Sequence, residues 1–216
     1  MNETTYGEIT AQFLIAEYTS LQQRANSYEE IKSKRVNFFL VIIAAVWASF
    51  SAFVEKDIIS THLDGAILVI SIFCLTLGIL TLRMLISYSI AIVVFHRRAA
   101  RIRRWFVDKN KELIKHVAFE ANDDRPTFIM PYDILYWRGA ESTLLLINSV
   151  LSGCFTVSLL YHPNINLFLL ISSIIISCVL SWYLQIKFTQ YKLKEAETSR
   201  WALDNINFPT ISEELI

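Results

Sequence analysis

The sequence predicts an all-α integral membrane protein, a four-helix bundle in lipid with both termini inside and helices extended into a cytoplasmic helical bundle. Three observations lead there. Of the 216 residues, 54% are apolar and 19% charged, against roughly 45–50% apolar in an ordinary soluble domain. Uncharged windows are long enough to cross a bilayer, and the basic residues lie almost entirely on one side of them. The composition also excludes classes. Five Gly and four Pro are too few for a turn-rich β fold or a phosphate-cradling Gly loop, and three Cys without close partners provide neither a disulfide framework nor a zinc site. Twenty basic and twenty acidic residues cancel to zero net charge, so the total gives no sign of a nucleic-acid partner.

Residues 36–54 form a window of 19 without charge, 142–161 one of 20, and 162–186 one of 25. Residues 65–95 add 31, interrupted only by Arg83. A crossing needs about 20 such residues, so each window spans once. The chain then reads in order as a cytoplasmic amphipathic helix (1–35), a first span (36–54), an outer loop (55–64), a second span (65–83), a cytoplasmic helical hairpin (84–141), a third span (142–161), an outer turn (162–165), a fourth span (166–186) and a cytoplasmic C-terminal helix and tail (187–216).

Orientation follows from Lys and Arg. Four precede the first span, one lies in the outer loop, ten lie between the second and third spans, none in the outer turn and four after the last. Cytoplasmic loops hold the basic excess, which places a multi-pass protein in the cell inner membrane with both termini cytoplasmic. The first 35 residues carry five acids and no apolar core, so no cleavable signal peptide is expected.

At 1.5 Å per residue, a helix entering near Gly65 reaches Arg83 after roughly 27 Å, close to the roughly 30 Å hydrocarbon thickness. Arg83 then marks the inner edge, as Arg35, Glu141 and Lys187 do for the other spans. A second placement, 75–95, would put Arg83 near mid-membrane. With Arg83 at the edge, the apolar residues 84–95 lie beyond lipid. Tilt alone would need an angle near about 50°, outside the usual range, so the second helix is expected to run on and pack against protein.

In the first segment, Leu14, Tyr18, Leu21, Ala25 and Tyr28 recur at helical spacing and form one stripe. After the second span, Phe95, Ala99, Ile102, Phe106, Leu113 and Val117 predict another, and the last span is expected to continue through Phe188, Tyr191 and Ala196 toward Trp201 until Asn207-Phe208-Pro209 stops it. The run from Glu120 to Pro126 reads as a tip where the chain turns back. Pro131 opens a further helix with Asp133 near its positive end, and Tyr136, Trp137 and Arg138 read as interfacial anchors.

Helices in lipid associate through small residues that let backbones approach. Ala44, Ala48 and Ala52 step by four on the first span, Ser149 and Gly153 lie on the third, and Ser173, Ser177 and Ser181 on the fourth. Close packing within one protomer accounts for these faces; a serine-lined pore in a homo-oligomer is the functional alternative. Asn148 carries the same two readings. Cys74, Cys154 and Cys178 fall in spans as small apolar side chains. His62, His96, His116 and His162 have no second His or Cys at ligand spacing, so no metal, cofactor or catalytic residue is expected. No nucleophile elbow, zinc-protease helix, P-loop or dinucleotide fingerprint occurs, and the chain reads as a non-enzyme.

The strongest local charge feature runs Arg97-Arg98-Ala99-Ala100-Arg101-Ile102-Arg103-Arg104. Topology and attraction to anionic lipid headgroups explain it, each basic residue adding about 1 kcal/mol. The sharper reading makes Arg97, Arg98, Arg101, Arg104 and Lys111 the contacts for an anionic signal molecule or RNA. Arg83 and Glu141 arrive at the same inner level from consecutive spans, as an ion pair or as half of a gate.

Around Glu17-Tyr18, Ser20-Leu21, Ile31-Lys32-Ser33-Lys34-Arg35 and Asn37-Phe38-Phe39, the chain resembles small bacterial membrane proteins of the SLATT type and similar four-span proteins of anti-phage defence loci. The resemblance covers roughly residues 6–106 and is architectural; the second hairpin, 131–201, departs from the two-span SLATT plan. It implies an oligomeric, pore-forming or membrane-perturbing effector controlled by a cytoplasmic sensor or protein partner. A non-conducting membrane-anchored scaffold that docks a cytoplasmic partner is the alternative.

Overall fold

The computed structural model describes residues 3–55, 63–119, 121–128, 139–160, 166–199, 202 and 206–207. Four helices make up the order: α1 (Glu3–Glu55), α2 (Leu63–Lys109), α3 (Gly139–Leu160) and α4 (Leu167–Glu197), with a short 3-10 turn (Lys111–Lys115) after α2. No strand occurs among the described residues. Proline placement explains the great length of α1 and α2. Pro126, Pro131, Pro163 and Pro209 all lie outside the four helices, so nothing inside removes a backbone donor or forces a kink. The 53 residues of α1 extend about 80 Å at 1.5 Å per residue.

All four helices are long and apolar enough to cross a membrane, which by length and composition makes the chain a multi-pass membrane protein. The packing divides into two compact units. The first, here the charged unit, comprises 1–31, 87–130 and 193–216; the second, the apolar unit, comprises 32–86 and 131–192.

In the charged unit the two sequence stripes meet. Leu21 of α1 packs with Ala99 and Ile102 of α2, and Leu14, Tyr18, Phe95 and Phe106 close around them. Tyr28 stands edge-on to Tyr88 and to Phe95, each at 5.5 Å between centroids. Ala99 and Ala100 are fully buried, and the small side chain of Ala99 lets Leu21 of α1 come close to α2. Burying each larger apolar side chain in such a core contributes about 1.5–3 kcal/mol.

Two expected helices stop short. α2 ends at Lys109, so Leu113 and Val117 are not on its stripe. The cause is Asn110, whose backbone is extended and whose side chain accepts from the Glu112 N–H at 3.1 Å, capping the 3-10 turn instead of continuing α2. α4 ends at Glu197 rather than continuing toward Trp201. The Thr198 N–H still reaches the Lys194 carbonyl four residues back, but the Ser199 N–H turns to the Ala196 carbonyl three residues back, the tightened bonding with which helices end. Within the segment expected as the tip where the chain turns back, Asp123 is buried in the unit.

In the apolar unit, Val36, Phe39 and Phe50 of α1 are buried, as are Cys74, Leu82, Leu85 and Ile86 of α2 and Leu144 and Leu151 of α3. α1 thus packs through large side chains. Ala44, Ala48 and Ala52 are exposed, and their expected role in close packing within the protomer is corrected accordingly. α4 buries no residue completely, and Phe168, Ile175, Ile176 and Val179 stand outward. The region expected to form the helix from Pro131 through Asp133, Tyr136, Trp137 and Arg138 lies outside the described residues, as do His62, His162, Trp201, Phe208 and Pro209.

Candidate functional site

Within the apolar unit, neutral polar side chains of α3 and α4 face one another where lipid-immersed helices have only packing and hydrogen bonds to hold them. Asn148, fully buried, donates from Nδ2 to Gln185 Oε1 at 3.1 Å, and Gln185 Nε2 donates to Ser181 Oγ at 3.0 Å. Asn148 Oδ1 has no conventional donor. It is pressed instead against the Cα of Gly78, where an added Cβ would stand 1.9 Å from it. The glycine hydrogen supplies the weak Cα–H···O contact that close helix crossings use. One glycine on α2 thereby seats the central amide of α3.

One turn further along, Ser152 and Ser177 hydroxyls meet at 2.9 Å and Thr156 donates to Ser177 at 2.7 Å. Gly153 allows the tightest approach, since a Cβ there would come 2.8 Å from Cys178 Sγ and 3.2 Å from Ile174 Cγ2. Ser149 and Ser173 bond to carbonyls of their own helices, Leu145 and Leu170. Of the small residues singled out in the sequence, Ser177 and Gly153 therefore carry contacts between helices, while Ser181 accepts from Gln185 of its own helix. Ser149 and Ser173 use their hydroxyls locally.

Glu141 opens α3, in a first turn where the helix dipole favours a carboxylate. Its Oε1 lies 2.8 Å from Lys32 Nζ, with side-chain exposures of 10% and 8%. Lys32 was not among the expected site residues, though its signal was present. It continues the stripe of Leu14, Tyr18, Leu21, Ala25 and Tyr28 by four residues, and a charge on a buried stripe needs a buried partner. Arg83 lies on α2; the 2.8 Å contact of Glu141 is to Lys32 of α1.

Two carboxylates, Glu197 and Asp123, tie the basic cluster of the charged unit to non-helical segments. Arg97, buried, places its guanidinium 2.6 Å from Glu197 Oε1, donates from Nε to the Pro126 carbonyl, and lies 4.4 Å over the Phe128 ring. Glu197 Oε2 accepts from the Phe128 N–H at 2.7 Å. Arg101 Nε lies 2.7 Å from Asp123 Oδ2, where Asp123 has no exposed side-chain surface; the same oxygen accepts from the Asn207 N–H. Glu197 and Asp123 thus each join an α2 arginine to a backbone N–H of a non-helical segment. Arg104 pairs with Asp108 at 2.9 Å. Arg98 is exposed without a bonded partner among the described residues, and Lys111 is exposed.

Arg97, Arg98 and Arg101 line a cavity of about 20 Å³, space for one water and not for a nucleotide. Beside the cluster, His96 is half-buried. Burial, and then the charge of Arg103, hold its imidazole below the usual histidine value of 6.5, while the Glu29 carboxylate acts the other way. No group of three metal-ligating side chains occurs among the described residues. No family model matches the sequence, and no curated protein and no solved structure is similar to it. The fold and these sites together define a multi-pass helical membrane protein with a separately cored charged unit.

Proposed function

We propose that the protein is a four-span protein of the inner membrane, with both termini cytoplasmic, acting as a non-enzymatic, homo-oligomeric effector that permeabilises the membrane under control of its charged unit. The observation that carries this reading is the continuity of α1 and α2. Each helix contributes without interruption to both units, so a change that rearranges the Glu197 or Asp123 clamps reaches the span region along unbroken helix. The basic asymmetry supports the orientation. The cytoplasmic side then holds the charged unit, where an anionic signal molecule or a protein partner would act. The architectural likeness to SLATT-type and defence-locus proteins supports a role in bacterial anti-phage defence.

Reconstitution tests it. Proteoliposomes carrying a disrupted clamp, Asp123→Ala, should leak K⁺ faster than those with the wild-type chain, and expression in cells should collapse the membrane potential. Intact conductance barriers in both would remove the pore. A second reading, a non-conducting scaffold, is favoured by Ile9 and Phe13 of α1, both exposed in the charged unit. A scaffold predicts a soluble protein co-purifying through that face, lost on Phe13→Asp, with no change in conductance.

A further inference from the structure

The apolar unit contains a cavity of about 290 Å³ whose apolar walls are Leu75 and Ile79 of α2 and Leu180 and Leu184 of α4; its polar lining is Ser181 and Gln185 together with Asn148, Ser152 and Ser177, whose side-chain donors are already bonded to one another or to Gln185. Its size sits at the lower end of small-molecule pockets, about 300–1,000 Å³. It admits a compact polar group with a short stretch of hydrocarbon, not a whole lipid. No charged side chain lines it, so the group it takes is neutral.

Donor accounting fixes the chemistry further. Ser181 Oγ accepts from Gln185 Nε2, and its own proton has no acceptor among the described residues. A serine inside a helix ordinarily returns that proton to the carbonyl four residues back, as Ser172 does to Phe168. Gln185 spends one Nε2 proton on Ser181 and keeps the second. Two donor groups with a proton left over therefore line the cavity, where unpaired donors are costly in a low-dielectric medium. Their complement is an acceptor. Gln185 stands two residues before Lys187, which ends the uncharged window, or about 3 Å along the helix axis. That is the level at which hydrocarbon gives way to the ester region of a bilayer.

We propose that this cavity binds the carbonyl oxygen of a membrane amphiphile, through Ser181 and Gln185, with the adjoining hydrocarbon between Leu75, Ile79, Leu180 and Leu184. An acyl ester of a glycerolipid and the ring carbonyl of a quinone share this chemistry. The site requires the spans but not the pore, so it stands or falls independently of conductance.

The test compares diacyl (ester) and dialkyl (ether) phosphatidylethanolamine of equal chain length, mixed with the purified full-length chain and read by native mass spectrometry. Decylubiquinone forms a second arm. One hydrogen bond in this setting corresponds to about a threefold to tenfold preference. For a lipid site, the wild type retains ester over ether lipid by that factor, Ser181→Ala and Gln185→Met each move the ratio toward one, and Ser172→Ala leaves it unchanged. For a quinone site, decylubiquinone binds the wild type and loses affinity by the same factor in both variants. Ser181→Ala keeps the Asn148–Gln185 bond, so its loss of preference is not explained by a disturbed bundle. Equal retention of ester and ether lipid without decylubiquinone binding overturns the proposal. So does any preference that survives in both variants.

Discussion

Gly78→Ala is the sharpest test of the apolar unit, because a single methyl is asked to enter a space already filled. Its Cβ would lie 1.9 Å from Asn148 Oδ1, 2.7 Å from Cγ and 3.1 Å from Nδ2, so the amide must move. Asn148 has no exposed surface and its Nδ2 is committed to Gln185, so moving into the cavity that it lines costs that hydrogen bond. Overpacking of this kind costs about 1–3 kcal/mol, and the broken intramembrane hydrogen bond about another 0.6–1.7. Replacing a helical glycine with alanine returns about 1 kcal/mol. The net expectation is a loss of about 2 kcal/mol, read as a shift in the SDS-induced unfolding of the chain in mixed micelles followed by circular dichroism. The attribution is checked by a double-mutant cycle. With Asn148→Ala in place the clash is gone, and Gly78→Ala should become neutral or stabilising. Equal stability of Gly78→Ala and wild type would refute the reasoning, as would an undiminished loss in the Asn148→Ala background.

Further expectations follow from the other contacts. Glu197→Ala should destabilise the charged unit by about 2 kcal/mol, less than a wholly buried pair because Glu197 is 31% exposed beside an Arg97 that is 7% exposed; faster proteolysis within 121–128 measures it, and an unchanged rate would count against the clamp. Gly153→Ala should cost about 1 kcal/mol through its 2.8 Å approach to Cys178 Sγ, and Cys178→Ala in the same chain should restore it in the SDS titration. His96 has a folded pKa below the unfolded value of 6.5, so the unfolded state binds the proton more readily. Stability should therefore fall as pH drops through about 6.5 and level off below the folded pKa. Melting curves between pH 7.5 and 5.5 should show His96→Gln losing less than wild type over that interval.

The spans and stripes were legible because they depend on one-dimensional patterns. Length without charge gives a crossing, and spacing of Leu14, Tyr18, Leu21, Ala25 and Tyr28 gives a face. The helix ends were less so, since Asn110 and Ser199 act through local hydrogen bonds that compete with the pattern only when the backbone leaves the helix. Site assignments depended on which distant segments meet. Arg97 and Arg101 drew notice as charges, yet their partners Glu197 and Asp123 lie 100 and 22 residues away, and no periodicity connects them. Gly78 carries no pattern at all; it matters because Asn148 happens to lie opposite. The alanine stripe failed for a related reason, since small residues permit close approach without specifying which helix approaches.

The two units are held by different forces, and this makes them separable. In the apolar unit the helix backbones satisfy themselves, and the contacts between helices are neutral hydrogen bonds, glycine approaches such as Gly78 and Gly153, and the buried pair Lys32–Glu141. Urea acts on surface newly exposed to water, and lipid-immersed helices expose little. The charged unit depends on burial of Leu21, Ala99 and Ile102 and on arginine–carboxylate clamps to the 121–128 segment and Asn207, all of which urea and water can replace. In proteoliposomes, urea should therefore melt part of the helical signal in one transition and leave the rest. Glu197→Ala should move that transition to lower urea, while Gly153→Ala should leave it in place. A single transition shifted equally by both substitutions would mean that the long helices α1 and α2 unfold as continuous bodies and that the units share one cooperative core.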